Sequence, residues 1–325
     1  MNSNSFKTTV ICLTKSYNLA DFSAWLMYHY FYFDRVIILD NESEVDIQTE
    51  CKKYPRVEYK KIEGWPNQWK LFSDILNLKT DIEFSEGEYV MFLDDDEYLY
   101  ESSHNDFINR KIMADFKPTG YNIRQRRFIS ETIDDSFGQL DCLLLPEILM
   151  APKFLPETRD TILPAHNVYA VSEYSSQGKA IIRWSPGNKY DFRKGKKEIG
   201  HVPWINGIRM SDVVGSGVSK TTYGLQPHPW APKSPVKPAL LFLFHYHIKS
   251  MADWNKKIER GSAATKNDTR KNGTYDDDIT KNSKYHWNKD WFNKTTNLIY
   301  WPHVEFELDE INKKMLEVPD GKIIF

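Results

Sequence analysis

Tyr89 to Leu93 (YVMFL) is an unbroken apolar run that ends directly on Asp94-Asp95-Asp96-Glu97. A run of this kind predicts a strand buried on both faces, which requires a covering layer on each side of its sheet. Four consecutive acidic groups cannot follow such a strand into a core, so the juncture marks a polar edge. Carboxylates packed this closely repel one another, and keeping several of them ionised calls for a cation; hard oxygen donors suit Mg²⁺ or Mn²⁺. In isolation an acidic run is a solvated turn. Its delivery by an apolar strand to the edge of an open sheet, where ligands bind at the carboxyl ends of the strands, favours the metal reading and points to Asp94 and Asp96.

The rest of the first hundred residues alternates between the period of a strand and that of a helix, the pattern of β-α-β units forming a mostly parallel sheet. Residues 8–14 (TTVICLT) predict the first strand. A helix follows, with Asn18 as its N-cap and Phe22, Trp25, Leu26, His29 and Phe33 along one apolar stripe. Residues 35–40 (RVIILD) predict the second strand, 57–62 a third, 67–79 a helix, and 89–93 the fourth strand. The second strand ends on Asp40-Asn41, so two strands open acidic groups on one edge. Beyond residue 117 the pattern loosens. Residues 120–130 and 179–184 predict strands, whereas LLLPEILMAPKFLPE and GLQPHPWAPKSPVKP predict loops. The apolar run 239–244 predicts a further strand, and the polar stretch 261–282 a long loop or lid.

Composition narrows the function classes. The chain has 325 residues, with 43 Lys+Arg against 45 Asp+Glu and a net charge of −2. That balance gives no pull toward nucleic acid or an anionic membrane. Its 10 Trp, 18 Tyr and 18 Phe exclude a disordered chain. Cys12, Cys51 and Cys142 are too dispersed for a disulfide framework or thiolate zinc site. The first residues lack the apolar core of a signal peptide, and no run is long enough to span a bilayer. The expectation is a cytoplasmic protein with no transmembrane segment and no nucleic-acid partner.

A second constellation follows the late apolar strand: His245-Tyr246-His247-Ile248-Lys249-Ser250. Histidines two apart on a strand share a face, so His245 and His247 can both approach one ligand. Imidazole suits Mn²⁺ better than Mg²⁺, and Lys249 offers a point charge to phosphate.

These segments, in this order, resemble the GT-A-fold glycosyltransferases, specifically the family-2-like group allied to glycosyltransferase family 92. The resemblance rests on Lys15; on Trp25, Tyr28 and His29; on Leu39-Asp40-Asn41-Glu42-Ser43; on Phe92-Leu93-Asp94-Asp95-Asp96-Glu97-Tyr98; on the His245 to Ser250 segment; and on Lys257-Ile258-Glu259-Arg260-Gly261. It covers roughly residues 8–261. It departs where that group has Asn-Glu after the lysine and this chain has Ser16-Tyr17.

The resemblance implies a Rossmann-like GT-A sheet, mixed but mostly parallel and flanked by helices, with an irregular C-terminal acceptor-side region. It implies a nucleotide-sugar-binding half over 1–117, an acceptor-binding half over 118–260 and an extension over 261–325. Asp94 and Asp96 become the D-x-D pair, Asp96 the direct metal ligand, and His245 a late ligand or diphosphate contact. Thr14, Lys15, Asp40, Asn41, Gln68, Asp95 and Lys249 would line the donor site, and His201 matches a further histidine of the group. The implied reaction is inverting transfer of a sugar from a UDP- or GDP-sugar to a hydroxyl of a glycan, with Mn²⁺ or Mg²⁺ as cofactor. Glu131, Asp191 and Glu198 are the candidates for the base, and Trp204 and Trp230 are candidates to stack on acceptor sugars. Two other readings stand beside it: metal-dependent phosphoryl transfer or nuclease chemistry on the same carboxylates, and a sugar-binding protein without catalysis.

Overall fold

The computed structural model describes residues 7–101, 142–145, 147–151, 157–166, 169–171, 179–192, 202–210, 241–246, 250, 252–253, 256 and 298–300. The first expected strand is β1 (Thr8–Thr14), and it pairs in parallel with β2 (Arg35–Asp40) and β4 (Tyr89–Leu93). β3 (Val57–Lys61) adds to the outer side of β2. Beyond β4 lie β9 (Ala180–Arg183), which runs antiparallel to it, and β6 (Cys142–Leu144). The sheet order is β3-β2-β1-β4-β9-β6. Five of its strands run one way and one the other, which is a Rossmann-like mixed α/β architecture.

Alternation across β1, β2 and β4 explains why their sequences are continuously apolar. Val10, Cys12, Val36, Ile38, Met91 and Leu93 enter one core, and Ile11, Leu13, Ile37, Leu39, Val90 and Phe92 enter the other. Each face therefore has its own cover, as a sheet buried on both sides requires. On one face lies α3 (Gln68–Leu76), with Phe72 stacked on Phe92 at 4.1 Å between ring centroids. A short helix α2 (Ile47–Cys51), which the sequence pattern does not predict, fills the β2–β3 connection.

On the other face lies α1 (Leu19–Tyr32), where the single-stripe expectation fails. Asn18 does cap it, its side chain accepting from the N–H groups of Ala20 and Asp21. But Phe22 and every residue from Ala24 to Tyr30 are buried, because α1 is enclosed between the first sheet and a second one. That second sheet has the order β14-β8-β7-β13-β5, built from β5 (Glu97–Glu101), β7 (Glu147–Ala151), β8 (Tyr169–Val171), β13 (Leu241–His245) and β14 (Leu298–Tyr300). β5 is an edge strand, and α1 satisfies two of its carbonyls: Trp25 Nε1 donates to Glu97 O at 2.9 Å and the Tyr28 hydroxyl to Leu99 O at 2.8 Å. Full enclosure also keeps His29 neutral, burial pushing its imidazole down to about 3.

The proline-bearing stretch LLLPEILMAPKFLPE, expected as loop, contributes β6 and β7 instead. None of its prolines falls within the bounds of either strand. A small antiparallel sheet of β10 (Tyr190–Asp191), β11 (Trp204–Ile205) and β12 (Ile208–Arg209) packs on α3. The expected strand 120–130 and the loop 261–282 lie outside the described residues. Among the described residues no helix is long and apolar enough to cross a membrane.

Arg159 ties the two layers together. Its guanidinium donates to both carboxylate oxygens of Asp21, in the first turn of α1, and reaches Asp253 Oδ2 at 2.7 Å and Oδ1 at 3.3 Å. The arginine side chain is almost fully buried. Burial opposes ionisation of Asp253, but hydrogen bonds from Arg159 and Ser250 outweigh it and hold the carboxyl down to about 2. Arg159→Ala leaves two enclosed carboxylates without their cation, which costs about 3–5 kcal/mol. Lysine, lacking the planar fork, restores little of it. Because the folded pKa of Asp253 lies below its unfolded value of 3.8, its contribution of about 2 kcal/mol is present above pH 4 and lost as pH falls from about 4 toward 2. Urea midpoints at pH 6 and pH 3 check both statements; a loss below 1 kcal/mol for Arg159→Ala contradicts them.

Candidate functional site

The parallel strands β1, β2 and β4 finish together at one edge, on Thr14, Asp40 and Leu93. From β1 the chain passes to β2 on one side, and β4 lies on the other, so the order reverses between β1 and β4. Such a reversal opens a crevice at the carboxyl edge, the default ligand site of an open α/β sheet. Thr14 and the acidic turn meet across it: the Thr14 hydroxyl donates to Asp95 Oδ2 at 2.5 Å.

The turn is also where the chain leaves the first sheet for the second, since Glu97 begins β5. Its backbone is closed by Glu97 N–H to Asp94 O at 3.1 Å, and Glu97 returns its carboxylate to the Asp94 N–H at 2.8 Å. Glu97 is buried. Among the described residues Lys179, just before β9, brings a cation to this turn. Its ammonium donates to Asp94 Oδ2 at 2.9 Å and lies 3.1 Å from Glu97 Oε2, with the side chain almost wholly enclosed. Burial alone would lower the Lys179 pKa, but Asp94 and Glu97 push it well above the ordinary lysine value, so the ammonium stays charged. The expectation made Asp94 a metal ligand beside Asp96; in the structure an internal cation sits on its carboxylate.

Asp96 is handled differently. β13 pairs antiparallel with β5, setting His245 opposite Glu97, and Tyr246 N–H donates to Asp96 O at 2.8 Å. This register brings His245 Nε2 to 3.5 Å from Asp96 Oδ1, and Nδ1 to 4.0 Å from Glu97 Oε1. Two donors bound to one Mg²⁺-sized ion at about 2.1 Å stand about 3 Å apart at right angles, so Asp96 and His245 fit a shared ion with little movement. Among the described residues no group of three His, Cys, Asp or Glu side chains assembles around a common point. The remaining ligands of such an ion would be water and phosphate oxygens, the usual arrangement for Mg²⁺-type sites.

At the end of β2, Asp40 and Asn41 build loop structure. Asp40 Oδ1 accepts from Ser43 N–H at 2.8 Å and Oδ2 from the Tyr59 hydroxyl at 2.6 Å. Asn41 N–H donates to Thr14 O at 2.7 Å, and its side-chain amide donates to Ile62 O at 3.1 Å and Gly64 O at 2.7 Å. Lys15 Nζ lies 3.8 Å from Glu42 Oε2. Gln68 is buried at the start of α3.

Thr14, Asp95, Asp94, Asp96 and His245 therefore converge on one edge, with Asp40 and Asn41 beside Thr14. Asp191 pairs with Trp204 between β10 and β11, beside α3, where Phe192 N–H donates to Ser73 Oγ and Asn77 donates to Tyr190 O, and the Phe192 ring lies 5.7 Å from that of Phe92, two residues before Asp94. Glu131, Glu198, His201, Trp230, His247 and Lys249 lie outside the described residues. Sequence reasoning missed Lys179 and Arg159. The available signal was a lone cation bordering an apolar strand, as Lys179 does before AIIRW.

No family model matches the chain. No curated protein matches it in sequence. Among solved structures it is similar to a crystal structure of 4-diphosphocytidyl-2C-methyl-D-erythritol synthase, with 10% identity and a TM-score of 0.28, over 55% of this chain and 75% of that one. A likeness that loose carries no argument, and the site has to be read from its own geometry.

Asn41 bonds both the end of β1, through Thr14 O, and the 62–64 segment, through the carbonyls of Ile62 and Gly64. Asn41→Ala removes both amide bonds to the carbonyls of Ile62 and Gly64, at a cost of about 1–3 kcal/mol. Hydrogen exchange then accelerates at residues 62–67, including the Ile62 N–H that donates to Asp40 O at 2.8 Å. Unchanged exchange there contradicts the assignment.

Proposed function

We propose that the chain is a metal-dependent glycosyltransferase that moves a sugar from a nucleotide-diphosphate sugar, UDP- or GDP-linked, to a hydroxyl of a glycan or similar acceptor, with inversion at the anomeric carbon. The observation that carries this reading is the meeting of Asp96 and His245 at the carboxyl edge, beside the β1–β4 reversal. There a divalent ion has two protein donors and open positions for a diphosphate.

In this reading Asp96 and His245 hold Mn²⁺ or Mg²⁺, which when bound neutralises the charge that develops on the departing diphosphate. Thr14 and Asp95 close the floor of the crevice through their hydrogen bond. Asp40 and Asn41 fix the loops against which the nucleoside rests, each through hydrogen bonds that hold its side chain still. Inversion requires a carboxylate to take the acceptor proton. Glu131, Asp191 and Glu198 are the candidates for that role.

Two-metal phosphoryl transfer, the leading alternative, needs carboxylates free to bridge a second ion. The pairing of Asp94 and Glu97 with Lys179 speaks against it. A sugar-binding protein without catalysis would bind the same donor and leave it intact.

Calorimetric titration of UDP and GDP, each with and without Mn²⁺, tests the reading. At least one nucleotide binds, at least tenfold more tightly with Mn²⁺, and raises the melting temperature accordingly. Asp96→Ala abolishes the metal-linked part and any turnover of the donor sugar while the protein still unfolds cooperatively. Binding of neither nucleotide in a metal-dependent way overturns the proposal.

A further inference from the structure

Lys179 does not sit in the acidic turn as a flexible surface cation would. β9 pairs with β4 in the register Met91 with Ile181 and Tyr89 with Arg183, which carries residue 179 alongside the end of β4, where the turn begins. On its other side, Leu145 N–H donates to the Lys179 carbonyl at 2.9 Å. The backbone is thus held beside β4 and Leu145, and the side chain enters the turn. Its ammonium stands 2.9 Å from Asp94 Oδ2 and 3.1 Å from Glu97 Oε2 and is only 4% exposed.

This gives four successive carboxylates different nearest partners. Asp94 and Glu97 share Lys179; Asp95 receives the Thr14 hydroxyl; Asp96 faces His245, whose other ring nitrogen lies 4.0 Å from Glu97. Two divalent ions in a shared carboxylate site lie about 3.5–4 Å apart and are bridged by the carboxylates between them. The Lys179 ammonium lies between two of those carboxylates, within hydrogen-bond distance of both, and its side chain is almost wholly enclosed.

We propose that Lys179 is a built-in cation that takes the place of a second metal ion, so that the turn holds a single divalent ion, at Asp96 and His245, and Asp94 is not one of its ligands. Lys179 is in this sense a positioning residue: it fixes the shape of Asp94–Glu97 whether or not an ion is bound. The single-ion statement rests on the metal-binding reading above, whereas the role of Lys179 in filling the Asp94/Glu97 position stands on the ion-pair geometry.

The test uses the full chain and free Mn²⁺ counted by electron paramagnetic resonance, with and without UDP or GDP, and circular dichroism as the control for folding. The wild type binds one Mn²⁺ per chain in the presence of nucleotide. Lys179→Met, which removes the charge at similar volume, exposes Asp94 and Glu97 to a new counterion, so the variant takes up a second Mn²⁺ or binds Mn²⁺ alone at least tenfold more tightly. Lys179→Arg, keeping the cation, behaves as wild type. Asp94→Asn serves where Lys179→Met fails to fold: it leaves wild-type Mn²⁺ affinity within about threefold, whereas Asp96→Asn loses at least tenfold. Two ions in the wild type, unchanged metal binding in a folded Lys179→Met, or a tenfold loss in Asp94→Asn each overturn the inference. If the wild type binds no Mn²⁺ but Lys179→Met does, the built-in cation stands and the transferase reading falls; if neither binds, both fall.

Discussion

A chain that leaves one sheet and enters another must turn, and here the turn is made of Asp94, Asp95 and Asp96, with Glu97 opening the next strand. Two like charges 4 Å apart repel by about 4 kcal/mol at the effective dielectric of a protein surface, so four in succession could not hold a fixed shape unaided. Each has a partner from elsewhere in the chain: the Lys179 ammonium just before β9, the Thr14 hydroxyl from β1 and the His245 imidazole from β13. The first sheet, the second sheet and the crevice between β1 and β4 meet at this turn. A covalent link between layers and a polar ligand edge are the same four residues.

The position of His245 then follows from packing at some distance. β13 is aligned by its pairing with β5, and β5 is held against α1 by the Trp25 and Tyr28 hydrogen bonds to its carbonyls. Past His245 the chain is fastened again, where Ser250 donates to Asp253 and Asp253 meets Arg159, which also grips Asp21 at the start of α1. Tyr17 adds a hydroxyl bond to Asp253 at 2.9 Å. The Ser16-Tyr17 segment, where the chain departs from the group it resembles, therefore joins the β1–α1 connection to the segment that follows the histidine.

How much of this could be read from the residues depends on how local the cause is. β1, β2 and β4 were legible because a strand buried on both faces writes itself as a continuous β-branched and apolar run, and Asn18 because its capping bonds reach only Ala20 and Asp21. The all-round burial of α1 was not legible. Its second cover comes from β5, β7 and β13, whose alignment depends on contacts far apart in sequence. β6 and β7 were hidden by prolines that in fact mark their boundaries. The convergence of Asp96 with His245 followed the order of the motifs, but the ion pairing of Asp94 did not: Lys179 is 85 residues away, and nothing near it in sequence announces a carboxylate partner.

The most direct measurement is anomalous diffraction at the manganese edge from crystals grown with Mn²⁺ and UDP, and separately with Mn²⁺ and GDP. The account predicts a single anomalous peak coordinated by Asp96 and His245, in contact with the diphosphate, with Lys179 still on Asp94 and Glu97. A second peak between Asp94 and Glu97, or a peak that Asp94 coordinates in place of Lys179, contradicts it.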